Sequence, residues 1–269
     1  RFGAIDDTEG GRTGRTNIAL NYTKNIGKSS FLKNRIFYSH YHFDLFSNFT
    51  FFANDPINGD QIRQTESRNL FGIESVFHNN SFSNFTYQIG AGLRHDDVND
   101  IGLWRTVNRN TKLSSLAQGA VQESNYYSFV NTEFTFGKWL VNPALRLDYF
   151  DFNYADELSI SNPNDSENDV MLSPKLNFIY TATADLQFFA KTGIGFHSND
   201  SRVVLARDGK ETLPGAYGVD IGTNWKPTPK LWVNTALWYL FLQQEFVYVG
   251  DEGIVEPSGR TKRLGIDIS

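Results

Sequence analysis

No cysteine occurs among the 269 residues, and methionine occurs once. Without thiols the chain can build no disulfide framework, no thiolate metal site and no cysteine nucleophile. No run of about 18 apolar residues exists, which excludes a transmembrane helix. Excess positive charge is also missing. The net charge of −5 offers no basic surface for a nucleic acid. No signal peptide opens the chain, which begins at Arg1. What the chain does have is rings. Aromatic residues make up 15%, with 23 Phe and 12 Tyr, although mean hydropathy is −0.40. A chain this aromatic is not disordered, so the rings need an apolar place to sit.

The pattern that places them has period two. Phe85, Tyr87, Ile89, Ala91 and Leu93 alternate with Thr86, Gln88, Gly90, Gly92 and Arg94. Val141, Pro143, Leu145, Leu147 and Tyr149 alternate with Asn142, Ala144, Arg146 and Asp148. Leu186, Phe188, Ala190, Thr192, Ile194 and Phe196 form a third apolar face, and Tyr217, Val219, Ile221, Thr223 and Trp225 a fourth. These are half-buried strands. Eleven are predicted, over roughly 15–25, 30–52, 66–78, 84–97, 123–137, 139–154, 169–181, 185–198, 214–226, 230–249 and 259–269. No stretch has helical periodicity.

The connections alternate in length. Short ones are predicted near Ile26–Ser29, Asn79–Ser83, Gly137–Lys138, Thr181–Ala184 and Lys226–Pro229. Long polar ones fall near Ala53–Thr65, Val98–Gln122, Ala155–Asn168, Asn199–Leu213 and Gly250–Ser258. Strands of about ten residues, with short turns at one end and long loops at the other, are the pattern of a transmembrane β-barrel. The apolar faces carry no charge, as lipid contact requires. Arg94, Arg146, Asp148, Lys191 and Asp220 all fall on the opposite, glycine-rich face. Trp139, Tyr180, Trp225 and Trp232 lie near the short turns, and Tyr126, Tyr149, Phe196 and Tyr217 toward the long loops, as interfacial girdles would. The predicted fold is all-β: an antiparallel up-and-down transmembrane barrel in the bacterial outer membrane. Eleven is odd, and an open sheet edge cannot face lipid. Residues 1–269 are therefore expected to be one partial barrel domain, an internal piece of a longer protein, with no plug domain in this chain.

Candidate chemistry is sparse. His40, His42 and Asp44 recur at every second position on the face opposite Phe37, Tyr41, Phe43 and Leu45. Neighbours at that spacing are about 6–7 Å apart along a strand. Two imidazoles and a carboxylate could ligate zinc or iron; a polar lumen wall is the other reading, and no metal or cofactor is predicted. Trp104, Arg105, Arg109 and Lys112 form a basic, aromatic cluster in the long connection and are the candidates for facing an external ligand. His197, Ser198 and Asp200 are too close in sequence to converge as a triad, since adjacent strand residues point to opposite faces. Glu9–Gly14 lacks the Lys-Ser/Thr of a phosphate loop.

The last hundred residues carry an ordered set of short motifs: Leu172-Ser173-Pro174-Lys175-Leu176, Gly195–Asp200, Leu213-Pro214 with Tyr217–Gly222, Glu245–Asp251 and Ser258–Asp267. In order and spacing the set resembles TonB-dependent outer-membrane receptors, the first motif being similar to a strand that carries a Pro-Lys pair in that family. The resemblance implies a 22-stranded, plugged barrel in the intact protein and import of a scarce ligand such as an iron chelate, cobalamin or a glycan. It also implies outer-membrane lipid and the TonB complex, reached through a plug, as partners, and a structural role for Gly195–Asp200 at a strand end. No bond-making step is implied. The rivals are a passive porin-type channel, an outer-membrane barrel enzyme and a soluble β protein.

Overall fold

The computed structural model describes residues 6–160, 164–197, 212–249 and 254–269. Ten strands follow one another in a meander: β1 (Gly10–Asn25), β2 (Ser30–Ser47), β3 (Ile62–Asn79), β4 (Phe85–Val107), β5 (Thr111–Phe136), β6 (Trp139–Asp156), β7 (Asn164–Thr183), β8 (Leu186–Phe196), β9 (Gly215–Thr228) and β10 (Leu231–Leu242). Each pairs antiparallel with the next, and β13 (Thr261–Ile268) completes an eleven-stranded sheet beside β10. Strands β11 (Glu245–Val249) and β12 (Ile254–Ser258) form a separate two-stranded sheet. The single strand expected over 230–249 is therefore broken. The chain leaves the ladder at Gln243, whose side-chain oxygen accepts from the Gly215 N–H at 2.6 Å.

The two faces separate as the alternation predicts. One cross-strand row runs Leu20, Ile36, Ile73, Leu93, Tyr126, Tyr149 and Val170. A second runs Phe85, Phe134, Val141, Phe178, Ala190, Ile221, Leu237 and Ile266. Neither row contains a charge. Most of these side chains are exposed, Leu20 by 64% and Ile266 by 70%, which only an apolar solvent would favour at this scale. Polar groups in the same band satisfy one another: Ser75 donates to Asn34 at 2.9 Å, and Thr223 bonds Thr235 at 2.8 Å. In hydrocarbon no water would do so. From Phe85 to Leu93 is eight residues, about 26 Å along a strand and about 20 Å along the normal at ~40° tilt.

The girdles form where expected. Trp139 packs on Tyr180 at 4.8 Å and Phe85 on Phe134 at 4.7 Å near the short turns, and Tyr126 meets Tyr149 at 6.2 Å in the upper row.

The inward face corrects the expectation of a wall made of polar groups and glycine. It also carries rings, and five of them lie across from a glycine: Phe37 over Gly72, Phe129 over Gly90, Tyr127 over Gly92, Phe189 over Gly222 and Trp238 over Gly265. A Cβ at any of these glycines would collide with the ring. The ring covers the bare backbone and fills the space a side chain would occupy. Phe196, expected on the lipid face, also turns inward. The β7–β8 ladder begins at Lys175 and Gly193, next to Pro174, which has no N–H to donate. Above that point β8 pairs only with β9, and Phe196 stands edge-on to Phe150 at 5.6 Å. Phe150, Phe152 and Leu213 form a buried inward cluster there.

Strand length is the other correction. The long connection expected over Val98–Gln122 is mostly strand: β4 and β5 continue to a three-residue turn at Asn108–Asn110. Above the membrane both faces of a strand meet polar surroundings, so the apolar alternation that marks a strand disappears.

Candidate functional site

The turn at Asn108–Asn110 carries the predicted ligand-facing residues into a compact tip. Asn108 and Arg109 both take positive φ, 50° and 62°, to close it. Arg109 donates from Nε and Nη2 to the carbonyls of Thr8 and Glu9, and its guanidinium lies 5.5 Å over the Phe46 ring. Its backbone N–H donates to Gln61 Oε1 at 2.9 Å. Gln61 is only 3% exposed and also accepts from the Thr106 N–H and hydroxyl at 2.8 and 3.1 Å. Three distant segments, 6–9, 47–61 and 104–112, are thus tied into one block.

Trp104 is buried in that block over Gly102, with Lys112 Nζ 3.8 Å from its ring centroid and Arg63 at 5.7 Å. Arg105, Arg109 and Lys112 are exposed, and Trp104 alone of the four predicted residues is buried. The block's carboxyls are held ionised. Backbone and side-chain N–H groups of Asn58 keep Asp55 below the usual range, with the N–H of Ile57 assisting. The Thr8 hydroxyl and the Asn48 amide do the same for Asp6. Arg105 adds a smaller attraction at Asp55.

His40, His42 and Asp44 do not line the lumen. They continue the outward face of β2 above Ile36 and Tyr38, opposite Asn69, Ser67 and Thr65. Nor do they share a centre. His40 Nδ1 is 3.1 Å from Asn69 Oδ1, and Asp44 is held bidentate by Arg63 at 2.9 and 3.0 Å. Among the described residues, no group of three or more His, Asp or Glu is placed to hold a metal ion. Ser198 and Asp200 lie outside the described residues. His197 follows the end of β8, its Nε2 3.5 Å from the Gln244 carbonyl.

The inner wall holds a polar network that the sequence reading did not single out. Arg94 binds Asp96 bidentate at 2.9 and 2.7 Å, and Arg146 binds Asp148 bidentate at 2.7 Å twice. Both are pairs two residues apart on one strand, pointing inward. Asn125 donates to Asp148 at 3.0 Å, Tyr127 donates to Glu74 at 2.8 Å, and the Arg146 guanidinium lies 3.9 Å over the Tyr127 ring. Asp148 is fully buried yet completely paired, as a buried carboxylate must be. The Arg-x-Asp spacing at inward positions could have signalled these pairs from the sequence.

A sheet with charge-free apolar rows on its outer face and a networked inner face fits one family by sequence as well. A family model described as TonB dependent receptor-like, beta-barrel, matches residues 2–269. The chain belongs to this family.

Solved receptor barrels agree in fold. The chain superposes on the ferric citrate transporter FecA with a TM-score of 0.74 at 15% identity, covering 95% of this chain and 38% of that one. For the ferric-catecholate import receptor Fiu from E. coli K12 the values are 0.70, 14%, 97% and 45%. For the ferric yersiniabactin uptake receptor FyuA from Yersinia pestis they are 0.73, 10%, 98% and 41%. At such identities the likeness concerns the fold, and the chain spans less than half the length of these structures. No curated protein matches by sequence. Within the receptor barrel, the short turns belong at one membrane face and the Gln61–Arg109 block at the other. The Arg–Asp network then lies on the lumen wall between them.

Proposed function

We propose that the intact protein is an outer-membrane receptor that imports a scarce external ligand with energy supplied through TonB. The single observation that carries this reading is the two-faced sheet: uninterrupted apolar rows outside and a hydrogen-bonded, charged wall inside. A wall of that kind suits a lumen in which another polar body seats, and a plug upstream of this domain is the expected occupant. The ligand would be captured at the external end, where Arg105 presents its charge and Trp104, Arg109 and Lys112 shape the surface. Iron chelates, cobalamin and glycans are the classes to test; FecA, Fiu and FyuA are described as handling ferric complexes. Transport without bond-making is the reading, in line with the receptor family to which the chain belongs.

The experiment is uptake of labelled ligands from these classes by cells carrying or lacking the full-length gene. Uptake should vanish with a protonophore and in a tonB deletion strain. Uptake that persists in both would make the protein a passive channel.

A further inference from the structure

A cavity of about 190 Å³ opens in the external block that Gln61 and Arg109 tie together. Asp6, Asp7, Asn48, Phe51 and Phe52 are among the residues that line it. Asn48 is only 8% exposed, and its amide is oriented by the bond from Nδ2 to Asp6 Oδ2 at 2.8 Å. Its Oδ1 is buried and has no hydrogen-bond partner. A buried acceptor left unpaired at a cavity wall calls for a donor from outside the chain.

The charge at this cavity has one sign. Asp6 and Asp7 line it, and no Lys, Arg or His does. The Asp6 carboxylate is bonded by neutral groups alone: the Thr8 N–H and hydroxyl and the side-chain amides of Asn48 and Gln61. Asp7 is exposed and has no partner among the described residues. Arg109 is engaged elsewhere, on the Thr8 and Glu9 carbonyls and over Phe46.

Two rings complete the site. Phe51 and Phe52 meet edge to face at 5.3 Å and stay 37% and 47% exposed. Phe51 takes a φ of 65°, which bulky side chains rarely adopt, and its carbonyl accepts from the Asp60 N–H at 2.8 Å. Other rings of the block already carry cations: Arg63 and Arg109 lie over Phe46, Arg63 and Lys112 over Trp104. Among the described residues, neither Phe51 nor Phe52 has one.

Together these features select an organic cation. Calcium takes about six or more oxygens, and no group of three or more His, Asp or Glu is placed to hold a metal ion among the described residues. A neutral hydroxyl could satisfy Asn48 but would leave both carboxylate charges and the ring faces unused. A primary ammonium brings three donors and a full positive charge, and an aromatic face attracts it.

We infer that this cavity binds the primary ammonium group of a small external solute, with Asn48 Oδ1 and the Asp7 carboxylate accepting its N–H groups and the Phe51 and Phe52 rings beside its charge. The inference rests on the receptor reading and names a chemical group of its cargo.

The test is saturation-transfer NMR on the full-length receptor in detergent, with cadaverine as the alkylammonium probe and pentanediol as its uncharged counterpart. Cadaverine should bind and pentanediol should not. Asp7→Asn should weaken cadaverine about tenfold, as loss of a hydrogen bond between charged groups does. Phe52→Leu should weaken it about threefold, the worth of an exposed cation–π contact. Both side chains are exposed, so both variants should keep the barrel's heat-modifiable gel mobility. Calcium at matched ionic strength should not displace the probe. No binding of cadaverine, equal binding of pentanediol, unchanged affinity in both variants, or displacement by calcium would each overturn the assignment. TonB-dependent uptake is read separately. Uptake that holds while ammonium binding fails removes the site alone, and ammonium binding without energised uptake removes the receptor reading alone.

Discussion

Phe37 lies directly across the β2–β3 ladder from Gly72, and its ring occupies the space where a Cβ on residue 72 would be. The same relationship recurs at four other inward positions. It accounts for the rings that stand on the inward face. Gly72→Ala should force the ring off its rotamer and destabilise the barrel by about 1–3 kcal/mol, as overpacking does. Urea unfolding of the refolded receptor in detergent would measure it. Gly14→Ala, where nothing stands within 4 Å of the added carbon, should have a much smaller effect.

The outward rows make a sharper demand. Leu145, midway between Val141 of the lower row and Tyr149 of the upper, is 41% exposed on the lipid side. Leu145→Arg should cost about 2–4 kcal/mol at the bilayer midplane and reduce assembled receptor in outer-membrane fractions. Asn153→Arg, on the same face but nearer the external end, should cost about 0–1 kcal/mol.

At the external tip, Arg109→Ala removes both donations to Thr8 and Glu9 and the contact over Phe46. Hydrogen exchange of the full-length receptor should then accelerate in residues 6–10 and around Gln61 while β6 stays protected. Unchanged exchange at Gln61 would mean that the three segments are not one block.

The tip should also respond to acid in a defined direction. The Thr8 hydroxyl first, and then the Asn48 amide, hold the Asp6 carboxyl below its ordinary 3.8. A depressed carboxyl contributes stability that is present above 3.8 and lost as pH falls through the folded-state value. Tip protection should therefore be flat from pH 7 down to about 4 and decline below it. Asp6→Asn should remove that decline.

The fold was legible because lipid imposes period two on every strand it touches. The rows through Leu93 and Leu147, the short turns and the girdle at Trp139 and Tyr180 all follow from that rule. Above the membrane the rule lapses, so the upper halves of β4 and β5 read as loop. The pairing of β11 with β12 was hidden for a related reason: Phe246, Val247, Tyr248 and Val249 are strand formers like the residues of β10, and only the exit at Gln243 separates the two strands. The inward rings required register, since a glycine reads as a partner for Phe37 only once Gly72 is known to lie opposite. His40, His42 and Asp44 kept their shared face; counting by twos puts it in line with Ile36 and Tyr38, but Phe37, Tyr41, Phe43 and Leu45 made the opposite face of β2 read as the apolar one. The Arg-x-Asp pairs were visible as residues and invisible as a network, because Asn125 and Tyr127 join them from the neighbouring strand.

The central claim is that consecutive residues of one strand face lipid and lumen alternately. Residues 1–269 contain no cysteine, so a single one can be placed in β6 once any outside this stretch is replaced. Spin labels placed by substitutions such as Leu145→Cys, Arg146→Cys, Leu147→Cys, Asp148→Cys and Tyr149→Cys, in full-length receptor reconstituted in bilayers, can be probed with oxygen and with a polar nickel chelate. Oxygen accessibility should be high at 145, 147 and 149 and low at 146 and 148. A profile without that alternation, or one with its phase reversed, would contradict the account.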